Sequence, residues 1–363
     1  LLPSEASLAM GSPEGDEQLL RDLLDTSSAN PAVRFFYYIE NPLPGSTTIT
    51  EARFWRVDLQ TGAQTLITTR PILGTFDTMA ESQISPDGQW LAYQRRTGDN
   101  AGDLYVMRVD GSEEQLLARG VGTLGGGCVA YFAWSPDSTS IAVNRFDRAS
   151  ADPGWRLEVV DIAQPDAAVQ IVAAPFLKFA GWVSQQKLLY ITGSIPERIP
   201  YVEEVDITNQ QRRTLYSFEQ DTPMYCIRPS PNGTIAIINA GNGNWQLDLA
   251  TSQIQPSSVY NTSLATWLPD GATMLLLQDD RPFLSRAATP MASAFIHLLP
   301  ETPPDTSWSS VDASPDGQYL VACQYITQEN RSRNAYLLLY TVASNTWSVI
   351  QAGCLSLSKA GWQ

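Results

Sequence analysis

One tetrapeptide recurs five times in this chain: Ser85-Pro86-Asp87-Gly88, Ser135-Pro136-Asp137-Ser138, Ser230-Pro231-Asn232-Gly233, Leu268-Pro269-Asp270-Gly271 and Ser314-Pro315-Asp316-Gly317. Its composition has a physical reason. Serine suits the first position of a type I turn, proline presets φ at the second, and glycine takes the last, where the chain re-enters a strand. A short apolar run follows each copy, such as Trp90 to Tyr93, Ile141 to Val143 or Tyr319 to Ala322. Runs of this kind, bounded by turn residues, read as buried strands.

The wide gap between residues 135 and 230 holds a degenerate copy. There Phe179-Ala180-Gly181-Trp182 matches Tyr131-Phe132-Ala133-Trp134, and Leu188-Leu189-Tyr190 follows, but the Pro-Asp is lost. The period is then roughly 45 residues, in the range of propeller blades. A second register agrees: Val57-Asp58, Val109-Asp110, Val160-Asp161, Val205-Asp206 and Leu247-Asp248 each end a third strand in a polar turn. Only Asp58 lacks a turn motif before it.

The missing piece lies at the other end of the chain. Gly353-Cys354 to Gly361-Trp362-Gln363 resembles the first-strand starts Gly127-Cys128 to Trp134 and Phe179 to Trp182. The C-terminal strand is therefore expected to join strands near 34–40, 51–58 and 64–69, removing an open edge. The expected fold is all-β: a seven-bladed β-propeller of four antiparallel strands per blade, its ring closed by the C-terminal strand. Six blades is the alternative if the weak copies at 177–218 or 263–300 are misassigned. Residues 1–32 read as an N-terminal extension with a short helix, whose apolar face is Leu19, Leu20, Leu23 and Leu24, and residues 33–363 as the propeller.

Composition limits the partners. A net charge of −15 with only three lysines (Lys178, Lys187 and Lys359) repels phosphate backbones, so nucleic acid is a poor ligand. No stretch is long and apolar enough to span a bilayer, and the chain starts without methionine, which reads as an exported, processed product, periplasmic or extracellular. Trp134, Trp182, Trp267 and Trp362 precede their turns at similar offsets and read as packing between blades. Of the four cysteines, Cys128, Cys226 and Cys354 fall at or near first strands. Cys323 and Cys354, both in the closure region, are the pair chosen for a disulfide.

The Trp-Ser-Pro-Asp turn, a Leu91-Ala92-Tyr93 strand, then Leu104-Tyr105-Val106 with Val109-Asp110, resembles the TolB-like (WD40-like) β-propeller repeat over most of the chain. The resemblance implies a propeller but no single activity. Its group includes an interaction protein of a periplasmic envelope system, the gating propellers of prolyl oligopeptidases, and pectin-fragment lyases. Those lyases rely on several histidines and a metal. Here the one histidine, His297, sits in a strand-like run and reads as structural. No Gly-x-Ser-x-Gly nucleophile turn occurs. Asp99 and Asp103 are weak metal candidates, since their loop does not match the spacing of a calcium-binding loop. No cofactor is expected.

Loop length nominates a functional face. The connections between second and third strands, at 41–50, 95–103, 145–154, 193–200 and 326–334, are the long ones, and binding residues tend to lie on loops held by a rigid scaffold. They carry Arg95, Arg96, Arg145, Arg148, Arg198, Arg331 and Arg333, with Arg281 in a shorter one. These arginines are expected to bind a protein partner. The expected function is a noncatalytic extracytoplasmic binding or scaffolding propeller, an accessory subunit of an envelope or membrane-associated complex. The alternative is a carbohydrate-active propeller enzyme, of lyase or glycosidase type, working through channel carboxylates.

Overall fold

The computed structural model describes residues 32–40, 51–71, 79–96, 101–122, 131–147, 154–165, 167–193, 197–257, 266–268, 270–278, 281–286, 293–294, 306–327, 333–341, 344, 346–352 and 357–362. Among them every regular element is a strand. β1 (Phe35–Glu40), β2 (Glu51–Asp58) and β3 (Gln64–Pro71) come first. Next are β4 (Met79–Ile84), β5 (Trp90–Arg96), β6 (Ala101–Arg108) and β7 (Gln115–Gly122), then β8 (Phe132–Trp134), β9 (Ser140–Asp147), β10 (Gly154–Asp161) and β11 (Val169–Ala174). The middle holds β12 (Leu177–Ser184), β13 (Lys187–Gly193), β14 (Pro200–Asp206) and β15 (Arg212–Ser217), followed by β16 (Met224–Pro229), β17 (Ile235–Ala240), β18 (Gly243–Asp248) and β19 (Ile254–Pro256). The last are β20 (Thr266–Trp267), β21 (Thr273–Gln278), β22 (Arg281–Arg286) and β23 (Ser293–Ala294), then β24 (Thr306–Ala313), β25 (Tyr319–Thr327), β26 (Arg333–Thr341), β27 (Thr346–Ala352) and β28 (Leu357–Trp362).

Pairing is antiparallel and sequential. Four sheets run β12 to β15, β16 to β19, β20 to β23 and β24 to β27, and a fifth runs β28-β1-β2-β3. β4 to β7 and β8 to β11 form one eight-stranded sheet, joined at the bridge between Val121 and Arg145. The weak copy at 177–218 is thus a complete sheet despite its lost Pro-Asp. The last strand pairs with β1, Phe36 opposite Trp362 and Tyr37 opposite Gly361.

The repeated turn works as its residues dictate. In the first copy Ser85 Oγ donates to Asp87 Oδ1 and accepts from Trp90 N at 2.9 Å, while Gly88 N closes the turn on Ser85 O at 2.8 Å. Glycine is needed at the last position because φ there is +71° in Gly88 and +65° in Gly233; Ser138 bears the same conformation at +63°. Where Leu268 replaces the serine, Thr273 Oγ1 supplies the lost bond to Asp270 at 2.6 Å. The third-strand aspartates make the second kind of turn: Asp206 accepts from Thr208 N at 2.8 Å and from its hydroxyl, which with further backbone donors holds its pKa down.

The core lies between sheets. Tyr37, Ile39 and Phe54 pack against Leu91, Tyr93 and Met107. Comparable apolar clusters fill the spaces between β5–β7 and β8–β10, between β9–β11 and β12–β14, and between β13–β15 and β16–β18. A further one joins Phe36, Tyr38 and Val57 to Val321, Leu337 and Leu339, at the two ends of the chain. Several first strands also meet: β28 packs on β4, β8 on β12, β12 on β16 and β20 on β24. The tryptophans tie these strands together, Trp134 Nε1 donating to Gln83 O (3.1 Å) and Trp182 Nε1 to Ala133 O (3.0 Å). Trp134, Trp182 and Trp362 thus pack between repeats as expected, each with a hydrogen bond added, whereas the buried Trp267 Nε1 has no hydrogen-bond partner among the described residues.

The disulfide choice needs correction. Cys323 is not in a disulfide; its thiol is buried among Phe36, Val57 and Leu337, where a cysteine fills the place of a small apolar residue. Cys354 lies outside the described residues. Among the described residues Cys226, on first strand β16, is disulfide-bonded.

Candidate functional site

First strands carry two side chains with no packing reason to be where they are. Lys178, in the middle of the buried stretch Leu177 to Phe179 of β12, is partly buried and donates to Met224 O of β16. Burial pushes its pKa below the ordinary lysine range. Among the described residues no carboxylate lies within ion-pair distance of it, although the chain holds 38 acidic residues. Its other neighbour is the Phe176 ring, 5.9 Å away.

Tyr225 follows Met224, the residue whose carbonyl Lys178 holds. Met224 and Cys226, on either side, are buried, yet Tyr225 is 55 % exposed. The cause is a β-bulge: Met224 pairs with Ala240 and Cys226 with Asn239, so Tyr225 has no partner on β17 and its side chain is turned outward. The disulfide at Cys226 holds the bulge on one side, and the Lys178 bond to Met224 O holds it on the other. The result is a desolvated amine and an exposed phenol on neighbouring first strands.

The carboxylate described on a first strand is spoken for. Asp312 of β24 is buried, accepting from Thr266 Oγ1 of β20 at 2.9 Å and from Trp362 Nε1 of β28 at 3.0 Å. It joins three first strands and offers no open oxygen.

The arginines expected to form a binding rim are placed differently from one another. Arg145 Nη2 is 2.6 Å from Glu158 Oε1, whose side chain is buried, and Arg198, at φ +56°, is 3.4 Å from Asp221 with both groups exposed. Arg95 stands opposite Asp103 across β5 and β6. Arg96, Arg281 and Arg333 lie on β5, β22 and β26, their side chains outside the description, and Arg148 and Arg331 lie outside the described residues. Of the weak metal candidates, Asp103 is ion-paired with Arg119 at 3.3 Å, and Asp99 lies outside the described residues, as does His297. Sequence reasoning passed over Lys178 and Tyr225. Lysine scarcity was the available signal: one of only three lysines falls inside a buried first-strand run.

No protein-family model and no curated protein matches the chain. Solved structures do. A prolyl endopeptidase is 13 % identical with a TM-score of 0.59, over 95 % of this chain and 52 % of that one, so the chain spans about half its length. Oligogalacturonate lyase from Vibrio parahaemolyticus is 12 % identical with a TM-score of 0.52, over 88 % and 86 % of the two chains, and another oligogalacturonate lyase structure is a complex with manganese. TolB from Acinetobacter baumannii also matches, at 15 % identity and a TM-score of 0.44 over 90 % and 89 %. The shared fold is the β-propeller. The expectation of a noncatalytic scaffold is corrected here, because enzymes make up most of the similar structures.

Proposed function

We propose that this propeller is a carbohydrate-active enzyme of the lyase type, acting on an acidic oligosaccharide held against β12 and β16. The observation that carries the proposal is Lys178: a partly buried lysine without a carboxylate partner among the described residues, its pKa lowered by burial, next to the exposed Tyr225. A lysine whose pKa is lowered by burial is neutral over a wider pH range and can act as a general base. In a β-elimination Lys178 takes the proton α to the sugar carboxylate. The electron pair left behind forms a C=C bond as the C–O bond at the β carbon breaks. The Tyr225 hydroxyl gives its proton to the departing oxygen, and water returns the proton from Lys178 to Tyr225. The tyrosine ring also offers a face on which a sugar can stack.

Among the described residues no group of three His, Cys, Asp or Glu could hold a metal, and the single histidine lies outside them. No step above runs through a metal. The first-strand carboxylate Asp312, bonded through both oxygens, is likewise given no catalytic part.

The same proposal takes the strands as seven four-stranded blades in a closed ring, with β28 completing the blade of β1 to β3, residues 1–32 as a separate extension, and the protein exported to the periplasm or beyond. Supporting closure are the cluster shared by Phe36, Val57, Val321 and Leu337, the bond from Val33 N to Asp316 Oδ2 at 2.7 Å, and the bond from Trp362 to Asp312. First strands then line an axial channel.

The test is turnover of uronate-containing oligosaccharides, followed by the ultraviolet absorbance of the unsaturated product. Wild-type protein should generate it, and Lys178→Met should slow it by about 10²-fold or more. A wild-type protein that yields no unsaturated product from any uronate oligosaccharide rules the lyase out.

A further inference from the structure

A charge cluster on the opposite side of the same sheet has no part in this chemistry. The β12–β13 connection is only Gln185 and Gln186, whereas the repeated turns take five residues between strands, as at 85–89. The short hairpin leaves a groove of ≈ 670 Å³ between the β12–β15 and β16–β19 sheets, and the tight-turn face forms its mouth. Gly233 of the next sheet closes down on the hairpin: a Cβ there would lie 2.0 Å from Val183 O.

Within the groove Lys187 Nζ and Arg213 Nη2 converge on one oxygen of Glu204, at 2.8 and 3.5 Å. Glu204 is more than nine-tenths buried. Arg213 is also fixed by Leu249 O at 2.6 Å, across the space between sheets. Arg212 and Asp206 complete the charges of the lining. Three cations against two carboxylates make this a positive spot on a chain of net charge −15.

Strand register shows that the fold does not require these charges. The residues that occupy the position of Glu204 in the other six four-stranded units are Arg56, Val106, Val159, Gln246, Leu284 and Leu339. The position of Lys187 is uncharged in all of them, as with Ser140 and Ile235, and so is that of Arg213, as with Gln115 and Val169. Valine or leucine packs there at no desolvation cost, whereas burying Glu204 needs both cations to offset the loss of water. What the arrangement achieves is two cationic heads held rigidly side by side, with spare donors facing the groove: Lys187 and Arg213 are each close to half exposed.

We propose that this groove is a binding site for a tetrahedral oxyanion group, phosphate or sulfate, seated between Lys187 and Arg213. Glu204 orients the two donors, and Arg213 supplies a planar fork while Lys187 supplies a point charge. The site stands apart from Lys178 and does not depend on the lyase chemistry.

Calorimetric titration of the full chain with inorganic phosphate, against chloride at equal ionic strength, tests it. Wild type should show saturable binding, with Lys187→Gln and Arg213→Gln each weakening it about tenfold. Each variant leaves Glu204 with one cation and should lower the melting temperature, and a cooperative melt above the assay temperature will show that it stays folded. Glu204→Gln should not abolish binding, because it removes the competing anion. A hexose phosphate arm separates the sources: tighter binding than phosphate points to a phosphorylated sugar, equal binding to the free ion. No saturable signal in wild type, or wild-type affinity retained in both Gln variants, overturns the site.

Discussion

Lys178 illustrates how one residue sets both a cost and a capacity. Its folded pKa is lowered, so the unfolded chain binds the extra proton more readily between that pKa and the ordinary lysine range. The cost is therefore fully present below the folded pKa and vanishes as pH rises into the ordinary range. Lys178→Met should raise the melting temperature at neutral pH, and the gain should shrink in alkaline buffer; a scan of melting temperature against pH for both proteins checks the sign. Tyr93 is a structural contrast. Its buried hydroxyl donates to Glu114, which also holds Arg70 at 2.6 Å, and burial followed by that carboxylate drives the phenol pKa up. Tyr93→Phe should cost about 1 kcal/mol in urea denaturation without altering turnover. Only the scarcity of lysine pointed to Lys178 in the sequence, and nothing pointed to Tyr93, because the burial of the one and the Glu114 acceptor of the other depend on how distant segments pack.

At the scale of the element, local chemistry wrote most of the structure. The turn motif, the Val-Asp strand ends and the tryptophan offsets all correspond to observed elements, since each is decided within a few residues. The β-bulge at Tyr225 was not foreseeable, because a bulge depends on pairing with β17. The groove beside Gln185 and Gln186 was half visible: the lost Pro-Asp marks its place in the sequence, but the space it opens depends on the neighbouring sheet. Glycines separate the two kinds of constraint. A Cβ on Gly62 (φ +69°) would meet nothing within 4 Å, whereas one on Gly233 (φ +65°) would run into Val183 O. Gly62→Ala should cost about 1 to 2 kcal/mol for its left-handed backbone alone, and Gly233→Ala roughly 3 kcal/mol or more, because a clash is added. Equal losses for the two in denaturant titration would show that the sheets do not approach as closely as described.

The whole molecule depends on its ends meeting. Val33 is bonded to the last repeated turn, Trp362 to Asp312, and β28 to β1. Asp312→Ala leaves the indole and the Thr266 hydroxyl without their acceptor and should cost about 2 to 3 kcal/mol, with faster hydrogen exchange in β28 and β1 before the other sheets. The repeat made the propeller legible, while the activity was not, since a shared scaffold hosts unrelated chemistries. The proposed lyase action rests on a desolvated base among the first strands. With only three lysines in the chain, that is open to direct measurement by competitive acylation across pH, read residue by residue in the mass spectrometer. Lys178 should acquire its label with a titration midpoint below the ordinary lysine range, because burial disfavours its charged form. A Lys178 midpoint within or above the ordinary lysine range would contradict the account.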